Sequence, residues 1–212
     1  MNVSEKYHSI INDLAAVQKY PWHDRDFYAA WLAQTYYYSS MSCNVLLMGA
    51  AKCGPKQAPM QRRLSKHSTE ERGHEILALR DLTDMGFKPE QIGEFPVTTA
   101  LYAVQLYKLQ NVSVEPLMGW ILPLEGIAVE FGKAIREQVA KANYPTRFLD
   151  IHVDEDPDHV ESAFKTAETL DPDKLADTMK NMEMTRDFYL GILDDCQKYA
   201  QRKKSNPTAK AS

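Results

Sequence analysis

The chain has 212 residues, 44% of them hydrophobic and 25% charged, and 25 basic against 29 acidic residues give a formal net charge of −4. That length supports a full hydrophobic core without disulfide or metal staples. The mildly acidic balance, with Arg202-Lys203-Lys204 as the only dense basic run, argues against a nucleic-acid partner.

Nothing in the pattern predicts strands, because there is no sustained alternation and no Asn-Gly or Asp-Gly hairpin turn. The N-terminal segment lacks the basic-then-apolar order of a signal peptide. Together with the odd, scattered set Cys43, Cys53 and Cys196, this predicts a cytoplasmic protein without a disulfide framework. The expected helices run over 3–19, 24–51, 58–85, 97–109, 114–142, 145–156, 157–170 and 172–203. They make an all-α bundle of about seven to eight helices in one domain over 1–204, with a disordered tail over 205–212.

Residues 27 to 51 carry no Asp, Glu, Lys or Arg, yet Gln34, Thr35, Tyr36, Tyr37, Tyr38, Ser39 and Asn44 make the stretch too polar for a lipid-facing span. It reads as a helix buried inside the bundle, with no membrane partner. The next helix carries His67-Ser68-Thr69-Glu70-Glu71-Arg72-Gly73-His74. In a continuous helix, Glu71 and His74 stand at i and i+3, and His67 shares their face. The Glu-x2-His step is the one carboxylate-bridged di-iron bundles use. A solvated face with two chance histidines is the alternative.

Further on, Glu125 is a lone carboxylate in the apolar run from Leu117 to Val129. A buried charge needs a partner. A metal would serve, and Arg136 is the competing explanation. Ser113 is a candidate N-cap for the helix that carries it. The sharpest motif is His152-Val153-Asp154-Glu155-Asp156-Pro157-Asp158-His159, in which His152, Asp156 and His159 fall at i, i+4 and i+7. Imidazole and carboxylate on one face suit iron, manganese or zinc. Pro157 cannot donate to the Val153 carbonyl, so a kink or a helix break is expected there. Asp171-Pro172 then starts the last helix, with Leu175, Met179, Met182, Tyr189, Leu193 and Cys196 at helical spacing.

These residues, in this order, resemble the heme-oxygenase-like iron-containing redox proteins, also called heme-oxygenase-like di-metal oxidases. The resemblance covers roughly residues 20 to 165, and its most specific part is His-x3-Asp-x2-His after a Glu-containing helix. It implies a seven-helix heme-oxygenase-like bundle holding two irons, with manganese as the alternative. Carried over residue by residue, it implies Glu71 and His74 as ligands from a first core helix, Glu125 as a bridge from a second, and His152, Asp156 and His159 from a third. Some relatives place a Glu where this chain has His67, so His67 is a seventh candidate ligand. Glu71, Glu125 and Asp156 are the candidate catalytic carboxylates. Family members activate O2 to oxidise small amine or acid substrates, so the expected partners are a small molecule and O2, with a homodimer left open.

The same superfamily includes thiaminase-like enzymes, the pyrroloquinoline quinone-forming oxidase and a CADD-like branch that consumes its own tyrosine. Aromatic packing is the simpler explanation of Tyr36, Tyr37 and Tyr38. Neither Cys43 nor Cys53 lies beside an obvious base, and His8 and His23 are the only N-terminal histidines available to a heme. Tyr36, Tyr37, Trp120 and Phe131 are candidates to line a substrate cavity. The expected function is a non-heme di-iron oxidase or oxygenase. A non-redox thiaminase-like enzyme, or a binding protein with a vestigial metal site, is the alternative.

Overall fold

The computed structural model describes residues 2–205, and within them there are helices and no strands. The α-helices are α1 (Val3–Leu14), α2 (Arg25–Ser39), α3 (Ser42–Lys52), α4 (Ala58–Glu70), α5 (His74–Asp84), α6 (Pro89–Ile92), α7 (Pro96–Asn111), α8 (Met118–Ile127), α9 (Lys133–Lys141), α10 (Arg147–Ala167) and α11 (Pro172–Ser205). Several lie end to end. Joining α2 to α3, α4 to α5, and α8 to α9 gives the expected count of seven rods, with α6 as a single turn between two of them. The tail beyond Ser205 lies outside the described residues.

The centre is α8. Every residue from Met118 to Pro123, and again from Glu125 to Ile127, is buried. It packs against α1, α10 and α11. Gly119 permits the closest of these approaches, because a Cβ there would stand 2.1 Å from the Thr178 carbonyl oxygen of α11. Side chains of α11 lock the same contact: Thr178 Oγ1 donates to the Glu115 carbonyl at 3.1 Å, and Asn181 Nδ2 donates to the Pro116 carbonyl at 2.7 Å and to Gln105 Oε1 at 2.8 Å. With 34 residues, α11 runs about 50 Å at 1.5 Å per residue.

Four local expectations need correction. The uncharged stretch is not one buried helix, because the chain turns at Ser40–Met41. Within it α2 is buried continuously from Phe27 to Thr35, whereas α3 exposes Leu47 and Met48. The expected 58–85 helix is broken at Glu71–Gly73, where Gly73 takes φ +95°, a left-handed conformation that suits glycine because it has no Cβ. Conversely, the expected boundary at Asp156–Pro157 is absent and α10 is continuous. Asp156, His159, Val160 and Ala163 are buried on one side while Pro157 faces out, so packing overrides a penalty of about 3 kcal/mol for proline in a helix interior. Finally, Ser113 caps nothing: a 3₁₀ turn over Glu115–Leu117 starts from Val114, and Ser113 Oγ is buried without a partner.

The broken and unbroken helices are held in register by Asp81 of α5. It is fully buried, accepts from the Phe148 amide at 3.0 Å and pairs with Arg147 Nη1 at 2.8 Å. This carboxylate occupies the N-terminus of α10, which has no side-chain cap of its own. It thereby sets the start of α10 against α5, and His152 against His74.

Candidate metal centre

The expected site residues come together. The rings of His67 and His159 lie 4.5 Å apart, and those of His74 and His152 lie 4.9 Å apart. His67 projects from α4 and Glu125 from α8, with His67 Nε2 2.8 Å from Glu125 Oε1 and 3.3 Å from Glu71 Oε1. His159 Nδ1 stands 3.8 Å from Glu125 Oε1 and 3.5 Å from Asp156 Oδ1. His74 Nδ1 stands 3.7 Å from Glu71 Oε2.

Two convergent donor groups result. His67, Glu71, Glu125 and His159 each offer a ligand atom within 4.8 Å of the others, and so do Glu71, His74 and His152. Glu71 belongs to both. It occupies this position because it caps the C-terminus of α4, its amide still bonded to the His67 carbonyl at 2.9 Å, while His74 opens α5. The predicted single face carrying His67, Glu71 and His74 is therefore replaced by a hinge that serves both groups. Asp156 lies beside His159 but in neither group.

His152 Nδ1 lies 2.8 Å from the Phe148 carbonyl. A carbonyl only accepts, so Nδ1 carries the proton and Nε2 keeps its lone pair free. A π-helical turn over Ala128–Gly132 begins three residues after Glu125. Such turns occur often at functional sites. The buried atoms without a hydrogen-bond partner include His67 Nδ1, His74 Nδ1, Glu125 Oε2, Asp156 Oδ1 and His159 Nδ1. Each buried unsatisfied group costs about 1–3 kcal/mol. Their concentration in one place is what a bound cation would relieve.

Electrostatics reflect the crowding. Burial opposes protonation of His67, but the charges of Glu125 and Glu71 prevail and lift it to about 10. Burial raises Glu71, but His67, His152 and His74 overcome it and bring the carboxyl down to about 2. Burial pushes Asp156 up, reinforced by Glu125 and Glu71. His152 is lowered, chiefly by burial.

A cavity of about 100 Å³ abuts the centre. His67, Glu71, Glu125, His152 and Asp156 form part of its wall. Trp31, Tyr38, Trp120, Phe148 and Tyr189 form much of the rest. Trp120 is thus placed as expected, but Tyr36, Tyr37 and Phe131 do not line the cavity. Tyr38 does, since the α-helical period turns its neighbours to another face.

The sequence reading did not count Arg63, Glu70 or Glu155 among the site residues. Arg63 lies one turn before His67, is buried, and donates from Nη2 to the His159 carbonyl at 3.2 Å. Glu70 Oε2 approaches His159 Nε2 at 3.4 Å, and Glu155 Oε2 approaches His74 Nε2 at 3.6 Å. The i−4 spacing of Arg63 from His67 was the available signal. Arg136 is not the partner of Glu125, since it pairs with Asp150 at 3.4 Å. His8 and His23 are exposed.

Residues 29–189 match the family described as iron-containing redox enzymes. The chain belongs to this family. Its fold is heme-oxygenase-like. A domain of unknown function with that fold from Shewanella denitrificans aligns over 99% of this chain and 95% of its own, at TM-score 0.76 and 19% identity. A TenA homologue from Pseudomonas syringae pv. tomato aligns over 90% and 92%, at TM-score 0.73 and 13% identity. A CADD-like protein of unknown function from Nostoc punctiforme aligns over 93% and 98%, at TM-score 0.61 and 14% identity. No curated protein matches the chain. Among the described residues no helix is long and apolar enough to cross a membrane.

Proposed function

We propose that this chain is a non-heme di-iron oxidase or oxygenase that uses O2 to oxidise a small amine- or acid-containing metabolite. The observation that carries the reading is the membership of Glu71 in both donor groups, which are two adjacent clusters of imidazole and carboxylate beside one cavity. His67, Glu71, Glu125 and His159 would hold one ion, and Glu71, His74 and His152 the other. Asp156 supplies a further carboxylate next to His159. Iron fits this donor chemistry and so does manganese. When bound as Fe(II), the pair supplies electrons for the reduction of O2.

The surrounding side chains do the positioning. Glu71, held down to about 2, stays ionised at neutral pH and presents two oxygens. The Phe148 carbonyl fixes the ring of His152. Asp156, pushed up by burial, can hold a proton at Oδ1, which has no hydrogen-bond partner. Apolar and aromatic residues around the cavity limit water near the ligands. The thiaminase-like alternative lacks an activated thiol: burial is the largest effect on Cys43, Cys53 and Cys196 and raises each, and at Cys43 it outweighs the lowering by Arg72.

Anaerobic loading with Fe(II), followed by metal analysis and Mössbauer spectroscopy before and after O2, tests the proposal. Close to two irons per chain that become a coupled di-iron(III) pair is the expected result. A single ion, a preference for Zn(II) and no reaction with O2 would move the assignment to the hydrolase or binding alternative.

A further inference from the structure

Three tryptophans are present, and two have their indole N–H groups satisfied. Trp22 Nε1 donates to the Val17 carbonyl at 2.8 Å, and Trp31 Nε1 donates to the Tyr189 hydroxyl at 3.1 Å. Trp120 differs. It is 3% exposed, it lines the cavity, and its Nε1 is buried with no partner. Buried indole N–H groups nearly always find an acceptor. No protein group supplies one here, and the cavity that Trp120 lines is the adjacent space in which the acceptor of a bound molecule would sit.

The remaining wall narrows the chemistry. Leu46, Ile121, Ile135 and Leu149 add aliphatic surface to the aromatic side chains, and no Lys or Arg is among the lining residues. Ser39 Oγ is already engaged with the Thr35 carbonyl. A charged group placed away from the metal ligands would be desolvated without a counter-charge. Any ionic end of a ligand therefore belongs at the His and carboxylate cluster. Size sets a further bound: about 100 Å³ is somewhat less than the roughly 150 Å³ of an engineered apolar cavity that holds benzene. A small ring or a short branched chain fills it.

We propose that this cavity is the substrate site and selects a small molecule with an uncharged, largely apolar body bearing one neutral acceptor oxygen, to which Trp120 Nε1 donates. This rests on the oxidase reading for the identity of the cavity as a substrate site, and it adds the specificity-determining residue.

The test uses the full chain labelled with ¹⁵N, metal-free and loaded with diamagnetic Zn(II), with the metal content of each sample measured separately. Cyclopentanone is the probe, cyclopentane the control without an acceptor, and cyclopentanecarboxylate the charged control. With cyclopentanone, the Trp120 indole N–H resonance should move downfield while that of Trp22 stays in place. The ketone should bind about fivefold more tightly than the cycloalkane, the factor that a typical net hydrogen bond confers. In Trp120→Phe that preference should fall to about one. A Trp120 resonance indifferent to cyclopentanone overturns the proposal even if the variant does not fold. So does a shift of the same size with cyclopentane, which offers no acceptor. A chain that takes up no metal but shows the Trp120 shift upholds the cavity assignment and defeats the di-iron reading. Metal uptake without the shift overturns the cavity assignment and leaves the metal centre standing.

Discussion

Metal binding to this site should release a proton from His67 and depend steeply on pH. His67 sits between Glu125 and Glu71 and is lifted to about 10. A divalent ion needs its neutral imidazole. At pH 7, about three units lower, removing that proton costs about 4 kcal/mol at 1.36 kcal/mol per unit, roughly a thousandfold in affinity. The penalty shrinks as pH rises, so His67 by itself should make affinity climb about tenfold per pH unit between about pH 6.5 and 8.5, with His159 adding to that slope. Competition of Mn(II) or Zn(II) against a chromophoric chelator measures this slope. Calorimetry in two buffers of different protonation enthalpy counts the protons. His67→Ala should lower the slope by one power of ten per unit, leaving the share of His159, which is also raised. An affinity that is flat with pH in the intact chain, or a slope unchanged in His67→Ala, would refute the assignment of His67 as a ligand atom.

The metal-free chain should have a stability window set by the same pair. His67 is raised from 6.5, so its contribution is complete below about 6.5 and is lost as pH rises toward about 10. Glu71 is depressed from 4.5, so its contribution is present above about 4.5 and is lost as pH falls toward about 2. Urea midpoints should therefore be highest between these limits, and a midpoint still rising at pH 9 would contradict the pairing. Because Glu71 alone belongs to both donor groups, Glu71→Ala should lower bound metal from about two ions toward none, whereas Glu125→Ala and His159→Ala should each retain the ion at His74 and His152. Elemental analysis after gel filtration separates these patterns, and equal losses in all three would remove the bridging role. Gly119→Ala should destabilise the fold by about 1–3 kcal/mol or more, since the new Cβ meets the Thr178 backbone rather than a yielding side chain. An unchanged urea midpoint would show that α8 can move away from α11 freely.

Much of this arrangement could be read in the residues themselves. The helical period of α11, the missing strand alternation and the shortage of hairpin turns required an all-α chain, because backbone pattern and side-chain period are local properties. Glu125 stood out because a charge inside an apolar run needs a partner wherever the run is buried. His152, Asp156 and His159 stood out because their spacing is fixed along a helix, and α10 kept that spacing through Pro157.

Tertiary packing decided the rest. Whether proline breaks a helix depends on how much buried surface holds the two halves together, and that surface belongs to neighbouring elements. The break at Gly73 works the other way: a glycine permits a left-handed turn but does not demand one. Once that turn forms, Glu71 is freed from the straight helix face and reaches both His67 and the His74–His152 pair, a bridging position that helical spacing does not contain. Arg63, Glu70 and Glu155 approach the centre for the same reason. Their partners lie on other helices, and only the docking of α4, α5 and α10, fixed in part by the buried Asp81 carboxylate, brings those charges within reach.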